Sequence, residues 1–198
     1  SPMYRSGSAR GPAAARSIWF EHIDAIFSSD GQKLRDGLSA DAERILVNTI
    51  DGYDHTADNL ANLKRLLSFT LETAGRYKES LDVISPFASD DELEGLETET
   101  QVKVTTQLAI AYNNNNDLPK SVTLLKDTLE KAENFDLRHL YGSVEIGLAR
   151  VYRKLAEFPI CRGHAEHALD HFRDYGNWLG MAEAYREIAN SYHQEGNS

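Results

Sequence analysis

Three histidines, His164, His167 and His171, form the sharpest chemical cluster in the sequence. Converging imidazoles can hold zinc or nickel. On a helix turning by 100° per residue, His171 lies about 20° from His164 and His167 about 60° away. A spacing of i, i+3 and i+7 does not aim three rings at one ion. Beside them Cys161, Ala165, Ala168 and Phe172 make a packing face. The expectation is a solvated or packing flank, with no metal and no cofactor. Cys161 is the only cysteine, so an intramolecular disulfide and a multi-cysteine zinc site are excluded. The stretch Ser28-Ser29-Asp30-Gly31-Gln32-Lys33 has a glycine and a lysine without phosphate-loop spacing, and neither a G-x-S-x-G nor an H-E-x-x-H pattern occurs. Carboxylates are abundant but follow helix surfaces, so no acid/base pair is nominated. The chain reads as a non-enzyme. Trp19 and Trp178 could stack a ligand; their settings, an apolar helix face and a helix start after Asn177, predict packing instead.

The 198 residues carry 21 Lys+Arg against 31 Asp+Glu, a formal charge of −10. With 41% hydrophobic and 26% charged residues, this is globular composition. The acidic balance argues against non-specific nucleic-acid binding and against a polybasic membrane surface. No run approaches the ~18 apolar residues of a membrane span. A cytoplasmic setting is expected.

The spacing of apolar residues is helical throughout. Residues 1–14 read as a flexible lead or a cloning remnant. Ile18, Trp19, Ile23, Ile26 and Phe27 mark a first helix. Ser39 is expected to cap a second, with Ala42, Ile45, Leu46, Ile50 and Tyr53 on its apolar face. A third starts near Thr56 and ends at Gly75, and a fourth runs from Tyr77 to Phe87. Ser89 to Thr100 holds six carboxylates and no Lys or Arg. It reads as a solvated loop whose charges favour the start of the next helix, ahead of an acidic docking patch.

Comparing the chain with itself is more informative. Leu108-Ala109-Ile110-Ala111-Tyr112 returns as Leu148-Ala149-Arg150-Val151-Tyr152 and again as Ile188-Ala189-Asn190-Ser191-Tyr192, each time at a step of 40. Val104, Val144 and Ala184 keep the step, as do Ser121 with Cys161, Leu125 with Ala165, and Phe135 with Tyr175. An earlier copy stands 41 residues back, at Leu67, Gly75, Tyr77 and Ser80. Each unit is a pair of amphipathic helices that cannot bury its apolar face alone and must stack on its neighbours.

These residues resemble the tetratricopeptide repeat, whose pattern places a large apolar residue, a small one, then an aromatic three later. The 40-residue period and the missing terminal proline are similar to the extended variety of MalT-like bacterial regulators and kinesin light chains. The resemblance implies an all-α right-handed superhelix, an alpha-alpha solenoid of antiparallel helix hairpins. Residues 15–198 would form one domain: a degenerate helix pair at 15–60, repeats at 61–101, 102–141 and 142–181, and the first helix of a fourth at 182–198. The lone last helix predicts that the natural chain continues. The resemblance also implies a concave groove lined by the first helices, which takes a protein or peptide partner. The candidates are Arg65, Lys103, Asn113, Asn114, Arg150, Arg153, Lys154, Arg186 and Asn190. On this reading Arg150→Glu with Arg153→Glu abolishes partner binding without lowering helical content. A chaperone-tail carboxylate clamp is not expected, because its places hold Arg65, Phe69, Gln107, Gly142 and Ile146. The function expected is a non-catalytic interaction scaffold. The alternatives are the sensor part of a larger bacterial regulator, binding a peptide or small molecule, and a self-association module.

Overall fold

A computed structural model describes the backbone of residues 31–196 and the side chains of residues 39–196. The expected first helix, Trp19 and the lead at 1–14 lie outside the described residues. Nine α-helices are described: α1 (Gly31–Gly52), α2 (Ala57–Thr73), α3 (Tyr77–Ile84), α4 (Asp90–Glu94), α5 (Thr98–Asn114), α6 (Leu118–Asn134), α7 (Arg138–Lys154), α8 (Phe158–Asp174) and α9 (Trp178–Glu195). One 3-10 turn, Ser85–Ala88, separates α3 from α4, and no strand occurs among the described residues. The expected all-α stack of hairpins is what forms.

The repeat period is written into the turns. Gly75, Asn116 and Ala156 have φ of +76°, +66° and +60°, and Asp136 and Gly176 have +53° and +63°. Each follows a helix end closed by the same two bonds, for example Glu157 N–H to Tyr152 O at 2.9 Å and Ala156 N–H to Arg153 O at 3.1 Å. This double closure satisfies the last carbonyls and needs a left-handed residue, which suits Gly and Asn and strains Ala. The next helix then starts at once. Asp117 and Asn177 cap α6 and α9 by accepting from Lys120 N–H and Gly180 N–H. Pro119 and Pro159, themselves one repeat apart, sit in the first turns of α6 and α8 where a missing N–H costs nothing.

The core follows the 40-residue step. Val104, Val144 and Ala184 are fully buried, and so are Leu108, Ala109, Leu148 and Ala149 within about one per cent. The second helix closes on those alanines through a small residue. Ser121 Oγ donates to Ala109 O at 2.7 Å, and Ser80 Oγ meets Ser68 Oγ at 2.9 Å. Cys161 takes the same place against Ala149. Its thiol is pushed up to about 11, first by burial and then by the Glu187 carboxylate. A buried thiol of that kind is a packing group.

Several expectations are corrected. Ser39 does not cap a helix: it lies inside α1, which begins at Gly31, and Ile45 and Tyr53 on the expected apolar face are exposed. The helix from Tyr77 stops at Ile84, because the chain tightens into the 3-10 turn at Pro86. The acidic stretch is not all loop, since Asp90–Glu94 forms a short helix with Asp90, Asp91 and Glu92 in its first turn. Trp178 is 78% exposed and joins no core cluster among the described residues. The first helices start at Thr98, Arg138 and Trp178, so 102, 142 and 182 fall one turn inside them. In α9 Ala189 is exposed and Tyr192 is 59% exposed, although their equivalents are covered. Arg162 lies 4.3 Å from the Tyr192 ring centre, on one face.

Candidate binding groove

The first helices α2, α5, α7 and α9 bring three ladders of residues together, each rung one repeat from the next. Arg65, Thr106 and Ile146 form one; Phe69, Ile110 and Arg150 the second; Lys103, Ser143 and Glu183 the third. They line a hollow of about 290 Å³, with Gln107 and Phe172 also in its wall. Arg65, Lys103 and Arg150 were among the sequence candidates. Ser143 and Glu183 were missed, although they follow Lys103 at successive steps of 40.

The charges in the hollow differ in their freedom. Lys103 Nζ donates to Glu99 at 2.5 Å. That bond first, and His139 beside it, hold the Glu99 carboxyl below its usual range. Arg150 reaches Glu183 at 3.3 Å and Glu187 at 3.6 Å. Arg65 enters no ion pair among the described residues, and its Nε is buried without an acceptor. Burial pulls the guanidinium below its ordinary value, yet it stays charged. An unpaired buried cation is costly. Gln107 is spent internally, on Glu72 at 3.0 Å and Ser68 at 3.3 Å.

The other candidates face elsewhere. Arg153 donates to Glu187 Oε2 at 2.8 Å, and Arg186 stands 3.7 Å from the same carboxylate. Glu187 is thus a buried hub, 2% exposed, with three guanidinium groups around it. The basic cluster expected at α7 and α9 is real in position, but its charge is answered from within. A double Arg150→Glu, Arg153→Glu reversal would set carboxylates against Glu187 and disturb the α7–α9 packing as well as the groove. Lys154 donates to Asn113 O at 2.6 Å, tying α7 to the end of α5. Desolvation, then the Arg153 guanidinium, lower its pKa. Asn113 is buried and its Oδ1 has no partner. Asn114 and Asn190 are half-buried. Gly142 and Ile146, two of the clamp places, are buried in the stack.

The histidines also pack. His164 Nδ1 is bonded to the buried Glu145 at 2.5 Å and its ring stacks on Tyr152 at 5.3 Å. His167 Nδ1 lies 3.6 Å from the other Glu145 oxygen, whereas His171 turns to Tyr141 at 5.1 Å. No group of three or more metal-ligating side chains converges among the described residues. No helix among them is long and apolar enough to cross a membrane.

No protein-family model matches the chain, and no curated protein matches it either. Among solved structures, the chain is similar to a protein from Podosopora anserina described as a kinesin light chain with nearly identical TPR-like repeats. The TM-score is 0.57 at 16% identity, over 96% of this chain and 90% of that one. The fold is a tetratricopeptide-like repeat solenoid. At that identity the likeness speaks for the fold alone. It also explains the hollow, because a tetratricopeptide-like stack turns its first helices to one side and so gathers their ladders on one surface.

Proposed function

We propose that the chain is a non-catalytic scaffold whose concave groove holds an extended segment of a protein partner. The observation that carries this reading is Arg65. Its Nε is buried beside a 290 Å³ hollow and lacks an acceptor. A carboxylate or a backbone carbonyl from a bound segment would supply one. Phe69, which is 52% exposed, and Ile110 offer apolar contact beside it. Repeat folds of this type commonly serve protein–protein interaction, and the groove is the surface on which the first helices converge.

The test is affinity capture with the intact protein followed by mass spectrometry, run in parallel with Arg65→Met. Methionine keeps most of the apolar stem and removes the charge. The variant should keep its helical circular dichroism and lose the partners captured by the wild type. Identical partner sets for both proteins would refute a groove centred on Arg65.

A further inference from the structure

Another face of α5 borders a second hollow, of about 410 Å³. Its origin is local. The second helices α6 and α8 run for 17 residues, but α3 runs for only 8 before the turn at Pro86. The chain makes up the shortfall with the 3-10 turn and α4. The space left between these and α5–α6 is floored by Phe87, Leu93, Tyr112 and Leu124.

This hollow has a definite charge preference. Lys64 Nζ lies 5.9 Å from the Phe87 ring centre and Lys120 Nζ lies 5.3 Å from that of Tyr112, so both rings already carry an ammonium. Lys120 is neutralised by Asp117 at 2.8 Å. Asp90 on α4 and Asp127 on α6 line the opening, are exposed, and have no partner among the described residues. The four further acids at Asp91, Glu92, Glu94 and Glu97 have no Lys or Arg among them. Lys64, without an ion pair among the described residues, is one ammonium against Asp90, Asp127 and the four further acids, so the surroundings stay net negative, and an apolar floor under them complements a basic, apolar ligand.

We propose that this hollow docks a segment of a protein partner in which a large apolar side chain stands next to lysine or arginine. The apolar side chain sits on Phe87, Leu93 and Leu124, and the cation reaches Asp90 and Asp127. The site is separate from the Arg65 groove and stands without it.

The test titrates the full chain against a fluorescein-labelled heptapeptide of leucine and lysine, read by anisotropy. A peptide with glutamate in place of lysine is the control. Asp90→Asn with Asp127→Asn should weaken binding about three- to tenfold, the range for two exposed charge pairs. Thr123→Trp, which fills the hollow from α6, should abolish it. The glutamate peptide should not bind, and Arg65→Met should leave the affinity unchanged. Wild-type affinity in the Asn double variant, or loss of binding in Arg65→Met, would overturn the proposal. A dimer seen by light scattering that Thr123→Trp dissolves would assign the hollow to a second copy and overturn it too.

Discussion

Replacing Glu187 should loosen the end of the solenoid. Its carboxylate is 2% exposed and faces Arg153 at 2.8 Å, Arg150 at 3.6 Å and Arg186 at 3.7 Å. Removing one partner of a buried pair costs about 3–5 kcal/mol when the other charge stays trapped. Here the Arg150 and Arg153 side chains are 19% and 20% exposed, and Arg150 keeps Glu183 at 3.3 Å. Both can turn partly toward water, which places Glu187→Ala near the lower end, about 3 kcal/mol. Glu187→Gln keeps the volume and one acceptor but not the charge, and should cost about 2 kcal/mol. Urea slopes for domains of this size are about 1–3 kcal/mol per molar, so the midpoint for the alanine variant should fall by at least ~1 M. The bond joins α7 to α9, and a repeat array is stabilised interface by interface. Amides of α9 should therefore exchange with solvent faster than those of α5 in the variant. A midpoint shift below about 0.3 M for both variants would show that the three guanidiniums are as well satisfied by water. It would also refute the account of the basic cluster as an internal ion-pair hub.

Two smaller outcomes follow from the turns and the core. Ala156 holds φ at +60°, a conformation costing an L-residue about 1–2 kcal/mol. Ala156→Gly should raise stability by about 0.5–1 kcal/mol after the entropy cost of glycine, and Gly176→Ala, at the left-handed turn between α8 and α9, should lower it; an unchanged urea midpoint for both would contradict the turn analysis. Cys161 is fully buried and its thiol is pushed up to about 11, so at pH 8 it stays protonated. Iodoacetamide should label it far more slowly in the native protein than in urea, and equal rates would show that the α7–α8 contact opens freely.

Much of this architecture is legible in one sequence because a repeat is its own alignment. The step of 40 identified Val104, Val144 and Ala184 as core and Ser121 and Cys161 as the small residues at the crossing, since each unit faces the same packing problem. The groove ladder of Lys103, Ser143 and Glu183 keeps the same step, but only Lys103 was read from it, because charge rather than period guided the choice. Where the chain departs from its own period, inference from the period loses its footing. Ser39 looked like a cap because capping residues also occur within helices, whereas Asp30, a residue type that caps as readily, stands directly before Gly31. Trp178 looked packed because it opens a helix after Asn177, but it is exposed and joins no core cluster among the described residues.

The pairing of charges was decided only by tertiary structure. Arg150, Arg153, Lys154 and Arg186 read as a free basic surface, because residue type gives charge but not the distance to a counter-charge. The superhelix sets Glu187 among three of them and the end of α5 against the fourth, leaving Arg65 as the groove cation without an ion pair among the described residues. Helical periodicity marked the faces that pack along α5 to α8, where residue type and phase decide burial once a neighbouring helix is in place. Electrostatic fate depends on separations of a few ångströms across elements remote in sequence, and those exist only once the hairpins have stacked.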